Sequence, residues 1–539
     1  MFLRWYSSKF LLFSIPLLFN PSNATPVAPV QNGTCRTTKV AVLGAGMAGI
    51  AAAQALHNAS ISDFLIIDVN DYIGGRVKHT TFGKNPATGE PFVVELGANW
   101  IQGLGSPGGP ENPIWTLVKK WGVRSEYSNF SRIETFDENG AADYMDQMDV
   151  YDKSYVTAEQ DAGRILIQNR QDRTMRTGLS IADWKPKKDM KAQAIEWWKF
   201  DWEFAYAPEL SSQTFTTVAY NSTFYQFSDE NSFVIDQRGY NYFIESEAYT
   251  FLQPNDPRLL LSKNVTSITY SPRSVTVSLS DGSCVTAEYA ICTFSLGVLQ
   301  NDVVAFDPPL PAWKQEGIEG MEMGTYTKIF LQFPPAADGS FFWEHGPLAG
   351  TEYFLYADPT ERGWYPVWQS LTPPGFIPGS GIFFVTVVYA QSYIVEAQDD
   401  ETTKREVMDV LRRMFGEGIP EPLDFMYPRW SLEPWVYGSF SNWPPGLSLE
   451  THQNFRANLG RLWFAGEATS VGYFGWVHGA YTEGQMAANT IAGCLTGNST
   501  ICRNRASYET IRGCTTGDRM MTPVNGFTVD TMQTWGYGD

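Results

Sequence analysis

The stretch from Lys39 to Arg76 reads KVAVLGAGMAGIAAAQALHNASISDFLIIDVNDYIGGR. Val40–Leu43 is a short apolar run typical of a buried parallel strand, and Met47–His57 continues with helical spacing and good helix formers. A second apolar run, Phe64–Ile67, ends at Asp68. The pattern predicts a strand, a glycine turn, a helix and a second strand that ends in an acid.

Three glycines separate the first strand from the helix and form a G-x-G-x-x-G motif, Gly44, Gly46 and Gly49. In a dinucleotide-binding turn the first glycine allows the tight turn, the second lets a pyrophosphate approach the backbone, and the third lets helix and strand pack closely. The N–H groups from Met47 onward lie at the positive end of the helix dipole and favour phosphate. Asp68, nineteen residues after Gly49, is placed to accept hydrogen bonds from a ribose. The stretch predicts a Rossmann-type unit that binds a dinucleotide; the alternative is a purely structural glycine turn.

A second glycine pair, Gly74 and Gly75, follows the acid, and Arg76 comes next. Backbone without side chains lets an extended cofactor pass closely, and a guanidinium can neutralise a phosphate. This arrangement suits a dinucleotide cofactor that lies extended across the site. The alternative is an ordinary turn with a surface arginine.

The chain has 539 residues, enough for two or three domains, and a formal net charge of −19. An acidic protein of this size repels nucleic acid and membrane surfaces and attracts cationic small molecules. Solubility alone is the simpler explanation of the charge. No nucleic-acid partner and no metal site are predicted, and the sequence leaves the oligomeric state open.

The N-terminus has the features of a secretory signal peptide over residues 1–24. Two basic residues precede an apolar run, Phe10–Phe19, and small residues occupy the −3 and −1 positions of a cut after Ala24. The run is too short to cross a membrane and no later run approaches twenty apolar residues, so stable membrane insertion is not expected. The sequence predicts a secreted protein with a proline-rich leader over residues 25–37.

Glycosylation sequons and cysteines agree with secretion. The sequons outside the signal are at Asn32, Asn58, Asn129, Asn221, Asn264 and Asn498. Cys494 and Cys502 are close enough for a local disulfide, and Cys35 and Cys514, at the two ends of the folded body, are candidates to pair. Two further cysteines lie in or near apolar strand-like runs and are expected to be buried thiols: Cys284 and Cys292.

Taken together, these segments resemble the flavin amine oxidase superfamily and, within it, the secreted polyamine oxidases. The resemblance covers about Thr38–Cys502 and rests, in order, on VLGAGMAGI, IGGR, VELGANW, DQRGY, SLGVLQ, YTKIF, PRW, FSNWP and GEATS…VHGAY. It implies an α/β amine oxidase fold, in which a Rossmann-type FAD-binding domain is interleaved with an α+β substrate domain, a mixed sheet flanked by helices. The FAD-binding domain would take residues 38–113, 236–300 and 429–495, the substrate domain residues 114–235 and 301–428, and a poorly packed polar tail residues 503–539.

The resemblance also implies which residues hold the FAD. A loop, Gly97–Trp100, passes the ring, and a strand followed by Gly466 and Glu467 leads to a second helix N-terminus at Val477. The full set is Gly44, Gly46, Met47, Gly49, Asp68, Gly75, Arg76, Gly97, Ala98, Asn99, Trp100, Val265, Trp430, Gly466, Glu467, Gly475, Trp476 and Val477. No cysteine occupies Tyr437–Gly446, where monoamine oxidases carry theirs, so the FAD is expected to be non-covalent.

The catalytic residues are likewise carried over from the resemblance. Lys328 matches the family lysine that holds a water near the flavin N5, and Phe440 and Trp476 match the aromatics that flank the substrate. Tyr326 matches a further aromatic near the ring. The alternative for Lys328 is a lysine that reaches solvent from a strand edge, and for each aromatic it is core packing.

Two positions depart from the family pattern. Plant-like members hold the ammonium groups of the polyamine with two acids; one is kept here as Glu203, and the other is the neutral Gln102. The family commonly has Tyr where Trp476 stands, and Trp keeps a face for cation–π contact but loses a hydroxyl. These departures put the substrate, more than the fold or the cofactor, in question.

The sequence therefore predicts a secreted FAD-dependent polyamine oxidase, whose substrate is a small cationic amine and whose electron acceptor is molecular oxygen. It would oxidise spermine, spermidine or their acetylated forms to an aminoaldehyde, an amine and hydrogen peroxide. A second hypothesis keeps the fold and takes a monoamine, an amino acid or a secondary-metabolite amine. An NAD-dependent dehydrogenase and a non-catalytic flavin-binding protein are the remaining alternatives.

Overall fold

The computed structural model describes residues 34–168, 170–344 and 346–511. The predicted signal peptide, the leader up to residue 33, the Asn32 sequon and Cys514 lie outside these residues, as does the tail from residue 512 onward. Within the described ranges no helix is long and apolar enough to cross a bilayer.

The described residues form a mixture of strands and helices. The strands are β1 Arg36–Leu43, β2 Phe64–Ile67, β3 His79–Phe82, β4 Phe92–Glu95, β5 Trp100–Gln102, β6 Ser125–Tyr127, β7 Ile133–Asp137, β8 Gly140–Ala141, β9 Asn231–Val234, β10 Leu259–Leu260, β11 Val265–Tyr270, β12 Val275–Leu279, β13 Cys284–Cys292, β14 Ala305–Asp307, β15 Glu322–Gly324, β16 Tyr326–Gln332, β17 Tyr353–Ala357, β18 Val367–Ser370, β19 Ile382–Val388, β20 Asp424–Met426, β21 Phe440–Asn442 and β22 Leu462–Phe464. The helices are α1 Met47–Asn58, α2 Pro113–Lys120, α3 Asp146–Ile167, α4 Met175–Ile181, α5 Met190–Glu196, α6 Trp202–Phe204, α7 Gln213–Phe224, α8 Tyr242–Ala248, α9 Leu296–Gln300, α10 Ala312–Glu319, α11 Tyr389–Ala397, α12 Asp400–Phe415, α13 Leu449–Arg456 and α14 Val477–Leu495. A π-helical turn, Trp197–Asp201, joins α5 to α6, and 3₁₀ turns cover Gly346–Leu348, Trp430–Leu432 and Glu467–Thr469.

The first sheet has the strand order β10-β2-β1-β13-β12-β11-β14, and β22 also pairs with β13. β1 is parallel to both β2 and β13, so its buried residues face helices that cover the sheet. The predicted strands at Val40–Leu43 and Phe64–Ile67 are confirmed, as is the helix between them. The strands of this sheet come from residues 36–67, 259–307 and 462–464, which are far apart in the chain.

The second sheet is largely antiparallel and has the order β20-β16-β19-β18-β17-β7-β8. Its long central pair, β16 and β19, is buried along nearly its whole length. The sequence pattern of Tyr326–Phe333 and of Ile382–Tyr389 is typical of strands, and β16 and β19 confirm both to within one residue. The two sheets and their helices give the predicted α/β amine oxidase architecture, and the exact domain boundaries stay a prediction; β14, from the 301–428 range, joins the first sheet.

Close backbone approach explains two glycines of the first layer. A Cβ on Gly49 would overlap the carbonyl oxygen of Gly44, so α1 can lie against the end of β1 only with glycine there. Gly484 of α14 is similarly pressed against the backbone of Ala48. The two long helices, α1 and α14, therefore pack backbone to backbone.

The sequence pattern over Met190–Phe204 predicts one continuous helix, and the structure interrupts it. Instead of one α-helix, α5 gives way to the π turn Trp197–Asp201 and then to the single turn of α6. Ala205 adopts a left-handed φ of 57°, which ends the segment. The sequence shows no proline or glycine at this point, so periodicity alone does not reveal the change of register.

Cys35 pairs with Cys284, so the predicted pairing of Cys35 with Cys514 is wrong, as is the prediction that Cys284 is a free thiol. The cause is the parallel alignment of β1 with β13, whose register opposes Arg36 to Val285 and so brings the preceding cysteines together. The local disulfide Cys494–Cys502 is confirmed, and Cys292 is a buried free thiol as expected.

Two further positions refine the sequence predictions. The described part of the tail, residues 503–511, is mostly exposed, but Arg505 anchors it, because its nearly buried side chain donates to Phe464 O at 3.0 Å and to Glu483 Oε2 at 3.1 Å. Of the candidate sequons, only some of which need be used, Asn221 is 1% exposed inside α7, where no glycan can be attached to the folded chain.

Candidate active site

The predicted cofactor and catalytic residues meet along one cavity of about 490 Å³. The predicted cofactor residues in its lining are Gly44, Gly46, Met47, Asp68, Gly75, Arg76, Gly97, Ala98, Asn99, Trp100, Val265, Trp430, Gly466, Glu467, Gly475, Trp476 and Val477. The predicted catalytic side chains in its lining are Gln102, Glu203, Tyr326, Phe440 and Trp476. Gly49 and Lys328 are outside this lining and lie directly behind it, Gly49 against Gly44 and Lys328 against Gly97.

The glycine turn leaves the N-terminus of α1 open to the cavity. Gly46 is the N-cap and offers no side chain to the first N–H groups of the helix. Asp68 braces the turn, because its Oδ2 accepts from Ala45 N at 2.6 Å while its Oδ1 accepts from Asn70 N at 2.7 Å. Burial raises the pKa of Asp68, and these two hydrogen bonds oppose that shift.

Arg76 and Glu467 join the two glycine-bearing segments, although 391 residues separate them. Arg76 Nη1 donates to Glu467 Oε1 at 2.8 Å and to Ser439 O at 3.0 Å. Glu467 Oε2 in turn accepts from Gly475 N at 2.8 Å and from Ser441 Oγ at 2.6 Å. Arg76 was predicted to neutralise a phosphate, and in this structure its guanidinium bonds to a carboxylate of the second segment.

Aromatic side chains line the part of the cavity next to α14. The Tyr326 and Phe440 rings have centroids 5.9 Å apart, and Gly475 lets the backbone lie against Phe440. Trp476, the N-cap of α14, stacks on His478 at 5.8 Å and meets Phe224 edge-on at 6.4 Å. These rings form an apolar wall that would suit the methylene chain of an amine.

Glu203, Gln102 and Trp476 form a hydrogen-bonded chain in this wall. Gln102 Nε2 donates to both carboxylate oxygens of Glu203 at 3.0 Å, and Trp476 Nε1 donates to Gln102 Oε1 at 2.7 Å. The two residues that depart from the family pattern are therefore bonded to each other. Burial raises the pKa of Glu203 to about 7, and the hydrogen bonds from Gln102 and Trp476 oppose the rise.

Lys328 is 1% exposed in the middle of β16. Its Nζ donates to Gly97 O at 2.9 Å and to Asn99 Oδ1 at 3.1 Å, two residues of the cavity lining. Burial lowers the pKa of Lys328, and the nearby charge of Glu95 opposes the shift. The alternative of a lysine that reaches solvent from a strand edge is excluded, since β16 has a paired strand on each side.

Known proteins resemble this chain over most of its length. The sequence profile described as flavin containing amine oxidoreductase matches residues 47–492. The chain belongs to the flavin-containing amine oxidoreductase family. Polyamine oxidase 1 of Zea mays is 37% identical over 502 residues, which cover 90% of this chain and 94% of the maize protein. Polyamine oxidase 7 of Oryza sativa subsp. japonica is 37% identical over 465 residues, covering 83% of this chain and 94% of the rice protein.

A solved structure supports the fold of this amine oxidase. Wild-type putrescine oxidase bound to putrescine aligns with a TM-score of 0.65 at 18% identity, covering 84% of this chain and 99% of that chain. Family and fold together make the protein an FAD-dependent amine oxidase, which removes the NAD dehydrogenase and the non-catalytic flavoprotein from the alternatives.

The residues of the amine oxidase fit an FAD. The uncapped start of α1 presents N–H groups to the cavity, as a pyrophosphate requires. A Cβ on Gly97 would overlap the carbonyl oxygen of Arg76, so only glycine lets these two segments of the cavity lining lie backbone to backbone. The N-terminus of α14 also opens on the cavity, with no side-chain cap.

Sequence analysis missed three supporting side chains of the amine oxidase. Asn112 Nδ2 donates to Gln102 O at 2.9 Å, and Asn112 Oδ1 caps α2 by accepting from Ile114 N. His478 bonds to Thr223 at 3.0 Å, and burial lowers its pKa to about 3, so the ring is neutral. Glu95 faces Lys328, and a charged residue that ends an apolar strand was the available signal.

Proposed function

We propose that this amine oxidase oxidises polyamines, namely spermine, spermidine or their acetylated forms, at a carbon–nitrogen bond. The observation that supports this proposal most directly is the half-buried carboxylate of Glu203, which lies in the lining of the cofactor cavity beside an aromatic wall. A carboxylate in an apolar tunnel can bind an ammonium group, while the rings contact the methylenes between the amines. The names of the maize and rice relatives support the same class of substrate.

The chemistry divides between the cofactor and the chain. A bound FAD would supply the redox chemistry, accepting a hydride from the carbon beside an amine nitrogen and passing the electrons to O₂ to give H₂O₂. Water hydrolyses the resulting iminium to an aminoaldehyde and an amine. The residues of the chain bind and orient the substrate: Glu203 holds a remote ammonium, and Phe440 and Tyr326 confine the methylene chain of the amine. Lys328, held by Gly97 O and Asn99 Oδ1, would assist the reaction with O₂. The FAD is held non-covalently, so acid precipitation should release it into the supernatant.

The proposal is tested by anaerobic titration of the purified yellow protein with spermine, followed at the flavin band near about 450 nm. Bleaching that reverses in air with release of H₂O₂ is the expected result. N-acetylspermine, which lacks one terminal ammonium, and a simple alkylamine, which has no remote ammonium, serve as comparison substrates. A protein that stays yellow with every polyamine would refute the polyamine assignment while leaving the amine oxidase family intact.

We also propose that the protein is secreted after cleavage behind Ala24. The signal-like N-terminus, the disulfides Cys35–Cys284 and Cys494–Cys502 and the exposed sequon at Asn498 support this. Expression in eukaryotic cells with N-terminal sequencing of the medium fraction should yield a chain that starts at Thr25. Retention of the full chain inside the cell, with Met1 intact, would contradict secretion.

A second candidate is oxidation of another amine, such as a monoamine, an amino acid or a secondary-metabolite amine. It is favoured by the hydrogen bond between Gln102 and Trp476, because the two departures form one neutral unit next to Glu203. Such a site carries one carboxylate for one ammonium. Faster anaerobic bleaching by a monoamine than by spermine would decide for this candidate.

A further inference from the structure

Glu203 follows directly on the π turn Trp197–Asp201. Within this turn Trp202 N donates to Trp197 O, an i→i+5 bond in place of the i→i+4 bond of an α-helix. Ala205 N then donates to Asp201 O at 2.8 Å, and Ala205 takes its left-handed conformation. Glu203 therefore lies between two residues, Trp202 and Ala205, whose backbone N–H groups both bond to carbonyls of the π turn.

One arginine from another part of the chain binds residues at both ends of that turn, a set of contacts that we call the Arg362 grip. Arg362, in the loop between β17 and β18, donates from Nη1 and Nη2 to the two carboxylate oxygens of Asp201, each at 2.6 Å. Its Nη2 also lies 3.1 Å from Glu196 Oε1. Glu196 ends α5 and Asp201 ends the π turn, so the two gripped residues bracket the whole turn.

This double contact depends on the π register. In a regular α-helix two residues five positions apart point about 140° away from each other, since each residue turns the helix by about 100°. An i→i+5 hydrogen bond instead brings such residues one turn apart on the same side. Glu196 and Asp201 can thus share one guanidinium only while the π turn is kept.

The register of the turn also sets the direction of Glu203. Removing the extra residue of a π turn rotates everything that follows by about 100°. Glu203 would then leave Gln102, whose Nε2 now bonds both of its oxygens at 3.0 Å. Both carboxylates of the grip are buried, Glu196 at 1% and Asp201 at 3% exposure, so their pairing with Arg362 is costly to lose.

We infer that Arg362 is a positioning residue for substrate binding: by gripping Glu196 and Asp201 together it holds the π turn that aims the Glu203 carboxylate into the cavity. The inference deepens the proposed function and rests on the role given there to Glu203. Gly363, next to Arg362, packs so closely against the indole of Trp197 that a Cβ would not fit. This contact holds the loop that carries Arg362 against the π turn.

Arg176 provides a matched control. It too pairs with Glu196, and its Nε donates to Glu209 Oε1 at 2.8 Å, but its ion pairs are with Glu196 and Glu209 and not with Asp201. Arg176→Gln therefore removes a buried charge pair at the start of the turn and leaves the grip on Asp201. A merely stabilising role for Arg362 would make the two arginine variants alike.

The test measures anaerobic flavin reduction against spermine concentration in the holoenzyme, which separates the amine Kd from the limiting reduction rate. Arg362→Lys keeps the charge and loses the fork, and it should raise the Kd by about tenfold while changing the limiting rate by less than about threefold. In a Glu203→Gln background the same change should add nothing, because the positioned group is absent. Arg176→Gln should keep the Kd within about twofold even where its Tm falls.

Three results would overturn the inference: additive effects of Arg362→Lys and Glu203→Gln, an equal rise of Kd in Arg176→Gln, or an unchanged Kd in Arg362→Lys. A crystal structure of Arg362→Lys tests the inference without any substrate. In it the Glu203 carboxylate should no longer be hydrogen-bonded to Gln102 Nε2, and a retained bond would contradict the inference. If Arg362→Lys does not fold, Asp201→Asn takes its place with the same expected separation of Kd from rate. A wild-type protein that spermine does not bleach refutes the proposed substrate, and the crystal structure still decides the grip.

Discussion

Glu203 shows how one half-buried carboxylate can serve binding at a cost in stability. Burial raises its pKa to about 7, against the hydrogen bonds from Gln102 and Trp476. An unfolded chain would release this proton near pH 4.3. Between these values the folded state binds more protons than the unfolded state, so this group makes stability fall as the pH rises from about 4 to about 7. The fall continues through the folded pKa and levels off about one pH unit above it, near pH 8.

Glu203→Gln should therefore raise the Tm at pH 8 and leave it nearly unchanged at pH 4. The amide keeps the shape of the side chain and has no charge to desolvate. Thermal unfolding of both proteins at the two pH values measures the difference. Glu209→Gln, at a half-exposed carboxylate whose pKa is lowered, is the control and should not raise the Tm at pH 8. An equal Tm difference at both pH values would contradict the raised pKa.

Gln102→Glu should strengthen spermine binding. A second carboxylate beside Glu203 adds Coulomb attraction for a polycation, about 4 kcal/mol for charges 4 Å apart before desolvation is subtracted. Two carboxylates at the distance of the present contact repel in the free protein, so one of them holds a proton until the pH is high. We expect a Kd about tenfold lower at pH 8 and a smaller gain at pH 6. An unchanged Kd at pH 8 would mean that the ammonium does not reach this pair.

Lys328→Met should slow the reaction of the reduced protein with O₂ by at least about tenfold, while reduction by the amine continues. The methionine side chain fills similar space but lacks the ammonium that bonds to Gly97 O and Asn99 Oδ1 in the wild type. Stopped-flow mixing of the reduced protein with oxygenated buffer gives the rate. Lys328→Arg keeps a cation and is the control; a Met variant that reoxidises at the wild-type rate would remove the assigned role.

At the scale of elements, the packing of α1 on β1 decides whether the cofactor turn can form. Gly49→Ala places a methyl group on the carbonyl oxygen of Gly44, so the helix must move away from the strand end. Such overpacking costs about 1–3 kcal/mol and misplaces the N–H groups at the start of α1. We expect a lower Tm and loss of yellow colour on gel filtration. Gly418→Ala, at a glycine with open space around it, should change neither.

Local patterns predicted these elements well, because each depends on residues close in sequence. The strand β1, the glycine turn and α1 follow from apolar runs and glycine spacing, and YTKIF correctly predicted β16 with Lys328 inside it. The partner of Cys35 was missed because it depends on the alignment of β1 with a strand about 250 residues away.

The grip of Arg362 on the π turn was beyond sequence reasoning for a similar reason. The residues Trp197–Asp201 contain no proline or glycine and continue the pattern that begins at Met190, so the sequence predicts a continuous helix. The interruption appears only when Asp201 and Glu196 meet an arginine from the loop after β17. Likewise, Asn112 and His478 look like ordinary polar residues until the fold places them behind Gln102 and Trp476.

At the scale of the whole molecule, the active site is completed by chain segments from both ends. In the first sheet β22 pairs with β13. The Arg76–Glu467 hydrogen bond connects the segment after the first glycine turn to the segment before α14. The disulfide Cys35–Cys284 fixes the start of β1 to the same strand, β13, at its opposite end. The cofactor cavity thus depends on contacts that close very long loops.

Loop length predicts that the two disulfides differ in their contribution to stability. In the chain-entropy account a bond that closes 249 residues restricts the unfolded chain by about 5 kcal/mol, and one that closes eight residues by about 2–3 kcal/mol. Cys35→Ser with Cys284→Ser should therefore lower the free energy of unfolding more than Cys494→Ser with Cys502→Ser. Urea unfolding of the three proteins measures this, with wild type in reducing buffer as a further control that should lose both contributions. If the local bond proved the larger contributor, the long-range bond would have to act on the native state, through the alignment of β1 with β13, and not through the unfolded chain.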